Sequence, residues 1–168
     1  MALRTIRTVG DSVLEKVCRP VTKVTPRILD LITDMAETMY DAYGVGLAAP
    51  QVGVLRRIVV IDVSEERDDL LIMINPEILE TSEEEQTGDE GCLSLPGKCG
   101  TVTRPLRVKA RALDMDLEPY EIEAEGLLAR AICHELDHLD GIMYMSHVTD
   151  GLRDVGAPEE EMEEETEE

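Results

Sequence analysis

The stretch AICHELDHLDG, residues 131–141, decides how the rest of the chain is interpreted. It places His134 and His138 four residues apart, so on a helix both imidazoles lie on one face, with Cβ atoms about 5–6 Å apart. Glu135 follows about 100° round the helix, beside an ion held by the two histidines, which is the position of a general base. A pair of histidines also occurs as hydrogen-bonded core residues. The pattern therefore predicts a helix-borne metal site that needs a third ligand from elsewhere.

Two helices are predicted. TPRILDLITDMAETMYDAYG (25–44) repeats apolar residues at helical spacing, with Thr25 as N-cap, Pro26 at the first position and Gly44 as the C′ glycine. LLARAICHELDHLDG (127–141) gives the second helix, which Gly141 ends.

Short β-branched runs and alternating segments predict strands between the helices, at 56–63, 70–79, 100–116 and 118–126. The polar stretch EEEQTGDEG (83–91) is interpreted as a loop. These elements predict an α+β fold, a single compact domain of antiparallel or mixed strands around a central metal-binding HExxH helix.

Charge and length restrict the class of protein. The net charge is −21 over 168 residues, and eight glutamates lie in the last ten residues, EEEMEEETEE. We expect a catalytic domain over 1–148 and an acidic, flexible C-terminal tail over 149–168. So negative a surface disfavours direct nucleic-acid binding, and no apolar run is long enough for a membrane span. With no signal-peptide pattern at the start, the expected location is cytoplasmic.

The third ligand is sought in DEGCLSLPG (89–97). If this stretch is extended, Cys92 and Ser94 face one side, and Gly91 permits close approach of a ligand to the backbone. Taken alone, Cys92 is better interpreted as a buried free thiol, since four cysteines without a secretory signal indicate thiols or ligands rather than disulfides. With the two histidines it completes a three-ligand set that leaves a fourth position for water.

Two further predictions concern polar side chains. Asp137 and Asp140 are expected to accept a hydrogen bond from an imidazole N–H. GVGLAAPQVG (44–53) is by itself an ordinary helix end and turn. Its small residues ahead of Gln51 instead favour a backbone that runs close to a substrate, with the amide as a hydrogen-bond donor.

Together, GVGLAAPQ, EGCLSLP and HELDH resemble, in order and spacing, the three motifs of the peptide deformylase family, and the resemblance covers about residues 1–145. It implies a metal-dependent hydrolase that removes the formyl group from N-formylmethionyl peptides emerging from the ribosome. One divalent metal is implied, Fe(II) in the native enzyme, with Ni, Co or Zn able to substitute. The implied roles are metal binding by Cys92, His134 and His138, catalysis by Glu135, Gln51 and the Leu93 N–H, and substrate binding around Val45, Gly46 and Gly91.

Two features depart from that family's pattern. Cys133 stands where many members have glutamine before the first histidine, and the C-terminal segment lacks the basic helix that some members use to dock on the ribosome. Two alternatives remain at this point. One is an HExxH metallopeptidase, and the other is a non-catalytic metal-binding module in which Cys99 supplies a fourth ligand.

Overall fold

The computed structural model describes residues 2–155, which form two antiparallel sheets and two α-helices. The helices are Pro26–Asp41 (α1) and Leu127–Leu139 (α2). The strands are Gly46–Ala48 (β1), Ile58–Ile61 (β2), Leu71–Thr81 (β3), Glu85–Cys92 (β4), Leu95–Pro105 (β5), Arg107–Leu113 (β6), Pro119–Glu125 (β7) and Arg153–Asp154 (β8). Within this part of the chain, no helix is both long and apolar enough to cross a membrane.

Helix α1 begins as its sequence predicts. The Thr25 side chain accepts a hydrogen bond from the Ile28 N–H at 3.3 Å, and Pro26 occupies the first position. The predicted end is wrong by one residue. Tyr43, with a φ of 58°, takes the left-handed C′ position, and the Gly44 N–H donates to the Met39 carbonyl at 3.0 Å.

Gly44 is needed for a different reason than helix termination. A Cβ built on it would lie 2.6 Å from Cδ1 of Leu93, which is closer than carbon atoms approach in folded proteins. The glycine therefore lets the end of α1 pack against the turn after β4. At the other helix the prediction is confirmed, since Gly141, with a φ of 75°, follows the last residues of α2.

The larger sheet has the strand order β1-β2-β3-β6-β7, and the smaller sheet has the order β4-β5-β8. All pairs between these named strands are antiparallel. The prediction of a loop over 83–91 is wrong, because Glu85–Cys92 forms β4 and pairs with β5 along the hairpin. Its side chains are almost all polar, so the apolar alternation that marks a strand is missing, and backbone pairing with β5 fixes its conformation instead.

Strand β2 lies at the middle of the core, and all four of its residues have 0% exposure. Val59 and Ile61 pack in the same cluster as Ile132 and Leu136 of α2. Ile58 and Val60 point to the other face and pack with the α1 side chains. Full burial of each of these side chains stabilises the folded state by about 1.5–3 kcal/mol. The larger sheet is therefore held between the two helices.

The C-terminal part extends the ordered contacts beyond the predicted boundary at 148. In β8, Arg153 and Asp154 pair with Cys99 and Lys98 of β5, so residues that the sequence assigned to a tail belong to the smaller sheet. The remainder of that predicted tail, residues 156–168, lies outside the described part of the chain.

A buried carboxylate fixes the chain after β2. Asp62 is 1% exposed and accepts hydrogen bonds from the Tyr40 hydroxyl at 2.6 Å and from the Ser64 N–H at 2.9 Å. Burial by itself would raise the pKa of Asp62, but the hydrogen bonds from Ser64 and Tyr40 outweigh it and lower the pKa to about 2.

We expect Asp62→Asn to lower the free energy of unfolding by about 2 kcal/mol at pH 7, because a shift of about two pKa units corresponds to that energy. The folded-state pKa is depressed, so this contribution is complete above about pH 4, the unfolded-state value, and is lost as the pH falls toward 2. Urea unfolding of the wild type and the variant from pH 7 to pH 2 measures the difference. Asp68→Asn, at an exposed neighbour, is the control, and a difference that stays constant down to pH 2 would contradict the assignment.

Candidate metal centre

Three side chains that the sequence selected converge at one point. Cys92 ends β4, while His134 and His138 project from one face of α2, and their ligand atoms lie within 4.8 Å of one another. The Cys92 Sγ is 3.4 Å from Nε2 of His138, and the two imidazole centroids are 5.1 Å apart. A thiol and two imidazoles at this spacing are a donor set for a transition metal or zinc.

Cys92 reaches the site through a tight turn. The sequence predicted an extended segment from Cys92 to Leu95, but residues 93 and 94 form the turn of the β4–β5 hairpin, and Cys92 pairs with Leu95. The turn nevertheless brings Cys92 and Ser94 together, because the Ser94 N–H donates to the Cys92 Sγ at 3.4 Å. Cys92 and Ser94 therefore do face the same region, as predicted, but a turn rather than an extended segment brings them together.

A carboxylate that the sequence analysis missed orients the first histidine. Glu90 Oε1 is 2.8 Å from Nδ1 of His134, and its two oxygens accept hydrogen bonds from Arg104 and Arg130 at 2.7–2.9 Å. Donation from Nδ1 leaves the other ring nitrogen directed toward Cys92. The available signal was the position of Glu90 two residues before Cys92, but the register of β4 shifts between them, so simple alternation does not place the two side chains together.

The predicted roles of Asp137 and Asp140 as partners of the ligand imidazoles are wrong. Asp137 accepts hydrogen bonds from Arg104 at 2.8 Å and pairs with the exposed His147 at 3.1 Å. Asp140 pairs with Arg57 at 3.0 Å. Both aspartates lie on the sides of α2 that face other elements, so the helix periodicity keeps them away from the cysteine.

The electrostatics of the site favour a cation. Burial by itself would lower the pKa of His134, but hydrogen bonds to Cys92 and Glu90 outweigh it and raise the pKa to about 10. Burial, together with the neighbouring charges of His134 and Arg104, lowers the pKa of His138 to about 3. One positive charge is thus stabilised between the thiol and the imidazoles, where a metal ion would also lie. The residues present fit a divalent metal.

Glu135 lies beside the three ligands in a position suited to proton transfer. It is 4% exposed, its Oε1 is 3.9 Å from Nε2 of His134, and its Oε2 has no hydrogen-bond partner within residues 2–155. Burial raises the pKa of Glu135 to about 7. Gly46 of β1 makes this position accessible, because a Cβ there would lie 2.8 Å from Oε1 of Glu135.

Gln51 is held with its amide nitrogen toward the cysteine. The side chain is 1% exposed, and its Oε1 accepts a hydrogen bond from the Ala48 N–H at 2.9 Å. Its Nε2 donates to Ser94 Oγ at 3.0 Å and lies 3.4 Å from the Cys92 Sγ. Because the oxygen is directed to the Ala48 N–H and the nitrogen to Cys92, Gln51 presents a hydrogen-bond donor to the metal site.

A cleft of about 690 Å³ opens over these residues. Eight of the nine predicted site residues line it, namely Val45, Gly46, Gln51, Gly91, Cys92, Leu93, His134 and Glu135. The ninth, His138, is 1% exposed and lies beneath. Leu127, which the sequence places on the metal-binding helix, also lines the cleft, as does Val155, which the sequence analysis missed. A larger cavity of about 870 Å³ contains none of these residues, so convergent chemistry rather than volume identifies the site.

Comparison with known proteins gives a consistent result. The sequence profile of the family described as "Polypeptide deformylase" matches residues 3–153. The chain is 67% identical to the peptide deformylase of Agathobacter rectalis over 155 residues, which covers 92% of this chain and 96% of that protein. The crystal structure of peptide deformylase from Thermotoga maritima superposes with a TM-score of 0.84 at 41% identity, covering 88% of this chain and 98% of that one. That of a peptide deformylase from Synechococcus elongatus in complex with actinonin gives 0.82 at 39% identity, covering 86% and 78%.

We expect Cys92→Ser to lower the metal content of the purified protein sharply, because a hydroxyl is a harder and poorer ligand than a thiolate. Metal analysis after dialysis against a limiting chelator measures the loss. Cys99→Ser, at a half-buried cysteine outside the three-residue group, should leave the metal content unchanged. Equal retention of metal by both variants would show that Cys92 is not a ligand.

Proposed function

The chain belongs to the polypeptide deformylase family and removes the N-formyl group from nascent peptides, and we propose that it does so with a metal ion held by Cys92, His134 and His138. The supporting observation is the convergence of these ligand atoms within 4.8 Å, next to the buried carboxylate of Glu135. Cys99 lies outside this group, so within residues 2–155 no fourth protein ligand closes the site. An open position is what distinguishes catalytic from structural sites.

We further propose Fe(II) as the native metal, with Ni, Co or Zn able to replace it. A thiolate with two imidazoles is a soft to borderline donor set, which suits these metals better than magnesium or calcium. When bound, the metal supplies a Lewis acid that polarises the formyl carbonyl and lowers the pKa of water.

The residues of the chain supply the remaining steps. Glu135 takes the proton from the attacking water and then delivers it to the departing amine, a role that its near-neutral pKa of about 7 suits. Gln51 Nε2 and the Leu93 N–H donate to the carbonyl oxygen as negative charge develops on it. In comparable sites each such donor contributes about 3–4 kcal/mol to the stabilisation of the transition state. Glu90 and its arginines keep the His134 ring in place throughout.

The cleft explains why the formyl group is selected. Gly46 and Gly91 both line the cleft without side chains, and we assign the extended peptide to this channel, with Val45 at its edge. A formyl group is the smallest acyl group, so a confined space at the metal accepts it and excludes larger ones. Leu127 and the neighbouring apolar side chains suit a methionine, in which each buried methylene contributes about 0.8 kcal/mol.

The biological setting follows from the substrate. We assign the reaction to N-formylmethionyl peptides as they emerge from the ribosome, in the cytoplasm and without a membrane. The net charge of −21 disfavours non-specific contact with nucleic acids over the surface as a whole. We assign catalysis to residues 1–148, with the cleft residue Val155 in addition, and we do not expect the acidic residues after Ala157 to be needed for it.

The substrate assignment predicts a sharp preference. Metal-loaded protein should release formate from formyl-Met-Ala, leave acetyl-Met-Ala essentially intact and fail to cleave an unfolded protein such as casein. A formate-coupled assay and peptide mass spectrometry measure the three reactions. Glu135→Gln should abolish formate release while metal content stays unchanged, since the amide cannot carry the proton. Cleavage of casein, or equal use of the acetyl peptide, would contradict the assignment.

The contact between Gly46 and Glu135 gives a second prediction. Gly46→Ala should lower kcat by at least about tenfold, because a displacement of the general base by several tenths of an ångström disrupts its alignment. Metal content should be retained. The control is Gly88→Ala on β4, where the nearest side-chain atom to an added Cβ is 3.4 Å away, an ordinary contact. If the two alanine variants have the same kcat, the close approach does not position Glu135.

A further inference from the structure

A second cleft, away from the metal centre, carries an unusual concentration of positive charge. It encloses about 870 Å³ between residues 19–23, the start of α1 and the segment before β2. Five of its lining residues are basic, Arg4, Arg19, Lys23, Arg27 and Arg56, and only Asp30 is acidic. The whole chain has 37 acidic and 16 basic residues, so this basic cleft runs against the composition of the protein.

The protein does not neutralise most of these charges. Arg4 pairs with Asp34, but Arg19, Lys23, Arg27 and Arg56 form no salt bridge and donate no side-chain hydrogen bond to any residue among 2–155. The other nine arginines of the described chain each donate at least one. In a chain so rich in carboxylates, four neighbouring cations without a protein partner leave positive charge in the cleft that is available to an external anion.

Two of the arginines are placed directly beside each other. Arg19 and Arg56 are partners in a parallel β-bridge, fixed by hydrogen bonds from the Arg19 N–H to the Leu55 carbonyl and from the Arg57 N–H to the Arg19 carbonyl, at 3.1 and 3.0 Å. Like charges at directly opposed positions destabilise a strand pair. An anion bound between the two guanidinium groups would remove this repulsion.

The arrangement favours a chain of phosphates over a single small anion. Arg19, Lys23 and Arg27 are exposed, so they do not form the enclosed, buried cage that would hold one ion. Together with Arg56, they are instead spread over three segments along an open cleft that also contains the apolar residues Val21, Leu31 and Val54. A charged groove that follows a backbone without reading bases is the electrostatic part of sequence-independent binding to single strands.

We propose that the basic cleft binds the phosphate backbone of RNA and thereby holds the enzyme on the ribosome while a nascent chain reaches the metal centre. The choice of RNA rests on the proposed function, since the substrate is released from a particle built largely of RNA. The net charge of −21 predicts repulsion over long distances. At 0.1 M salt, however, charges more than about 10 Å away are screened, and the contacts within the cleft decide the outcome.

The test measures anisotropy of a labelled 12-nucleotide uridine RNA with the full-length, metal-loaded protein between 0.1 and 0.3 M KCl. With four phosphate contacts, the logarithm of the binding constant should fall with the logarithm of salt with a slope of about −3, or about −0.7 per contact. Arg19→Gln with Arg56→Gln should weaken binding at least about tenfold at 0.1 M KCl and reduce the slope by about 1.4.

The control is Lys109→Gln with Arg111→Gln on β6, which removes the same charge outside the cleft and should change binding less than about twofold if the contacts are local. Both double variants should hydrolyse formyl-Met-Ala like the wild type, because neither touches the metal centre. If the wild type does not hydrolyse formyl-Met-Ala, the proposed function is contradicted. The RNA measurements test only the cleft.

Several results would overturn the RNA assignment. These are no RNA binding at 0.1 M KCl, equal weakening by the two double variants, or complete displacement of the RNA by 10 mM inorganic phosphate, which would indicate a small-anion site. Co-sedimentation with vesicles containing phosphatidylserine, in the absence of RNA binding, would assign the cleft to a lipid surface instead.

Discussion

The buried Glu90 carboxylate joins the elements that form the metal centre. It lies on β4 and accepts hydrogen bonds from Arg104 on β5 and from Arg130 and His134 on α2. Removing one member of such a buried ionic network costs about 3–5 kcal/mol, because the remaining charges are left without compensation. The network fixes the hairpin against the helix, so the geometry between Cys92 and the two histidines depends on it. It also determines which nitrogen of His134 faces the cysteine.

The hydrophobic core supplies the other half of this geometry. Helix α2 packs on one face of β2 and α1 on the other, so a metal-binding helix is supported by a strand that is buried on both sides. The same strand leads into Asp62, and β1 brings Gly46 against Glu135. Core packing therefore positions the histidines and Glu135, and the ionic network positions His134 and the hairpin that carries Cys92.

The sequence was informative where chemistry depends on local spacing or on several motifs together. The four-residue interval between His134 and His138, the N-cap of α1 and the cysteine of the second motif could be identified because each follows from residue type and position. Glu90 and strand β4 were missed because a polar strand lacks the apolar alternation that marks one, and its partners are remote in sequence. The unpaired cations near Arg19 were invisible in a chain whose net charge is −21, since only folding separates paired from unpaired charges.

The division of the metal centre between α2 and the β4–β5 hairpin also bears on its motions. Amides in β2 and α2 are buried in the core, so their exchange with solvent requires the opening of the whole domain. The two-residue strand β8 is exposed, and we expect it to exchange by local opening. The hairpin turn differs from it, because Ser94 is fully buried and its carbonyl accepts a hydrogen bond from the Val9 N–H at 2.8 Å. All three ligands are thus held by protected parts of the protein, and local opening at the β8 edge of the smaller sheet leaves the spacing between the cysteine and the imidazoles unchanged.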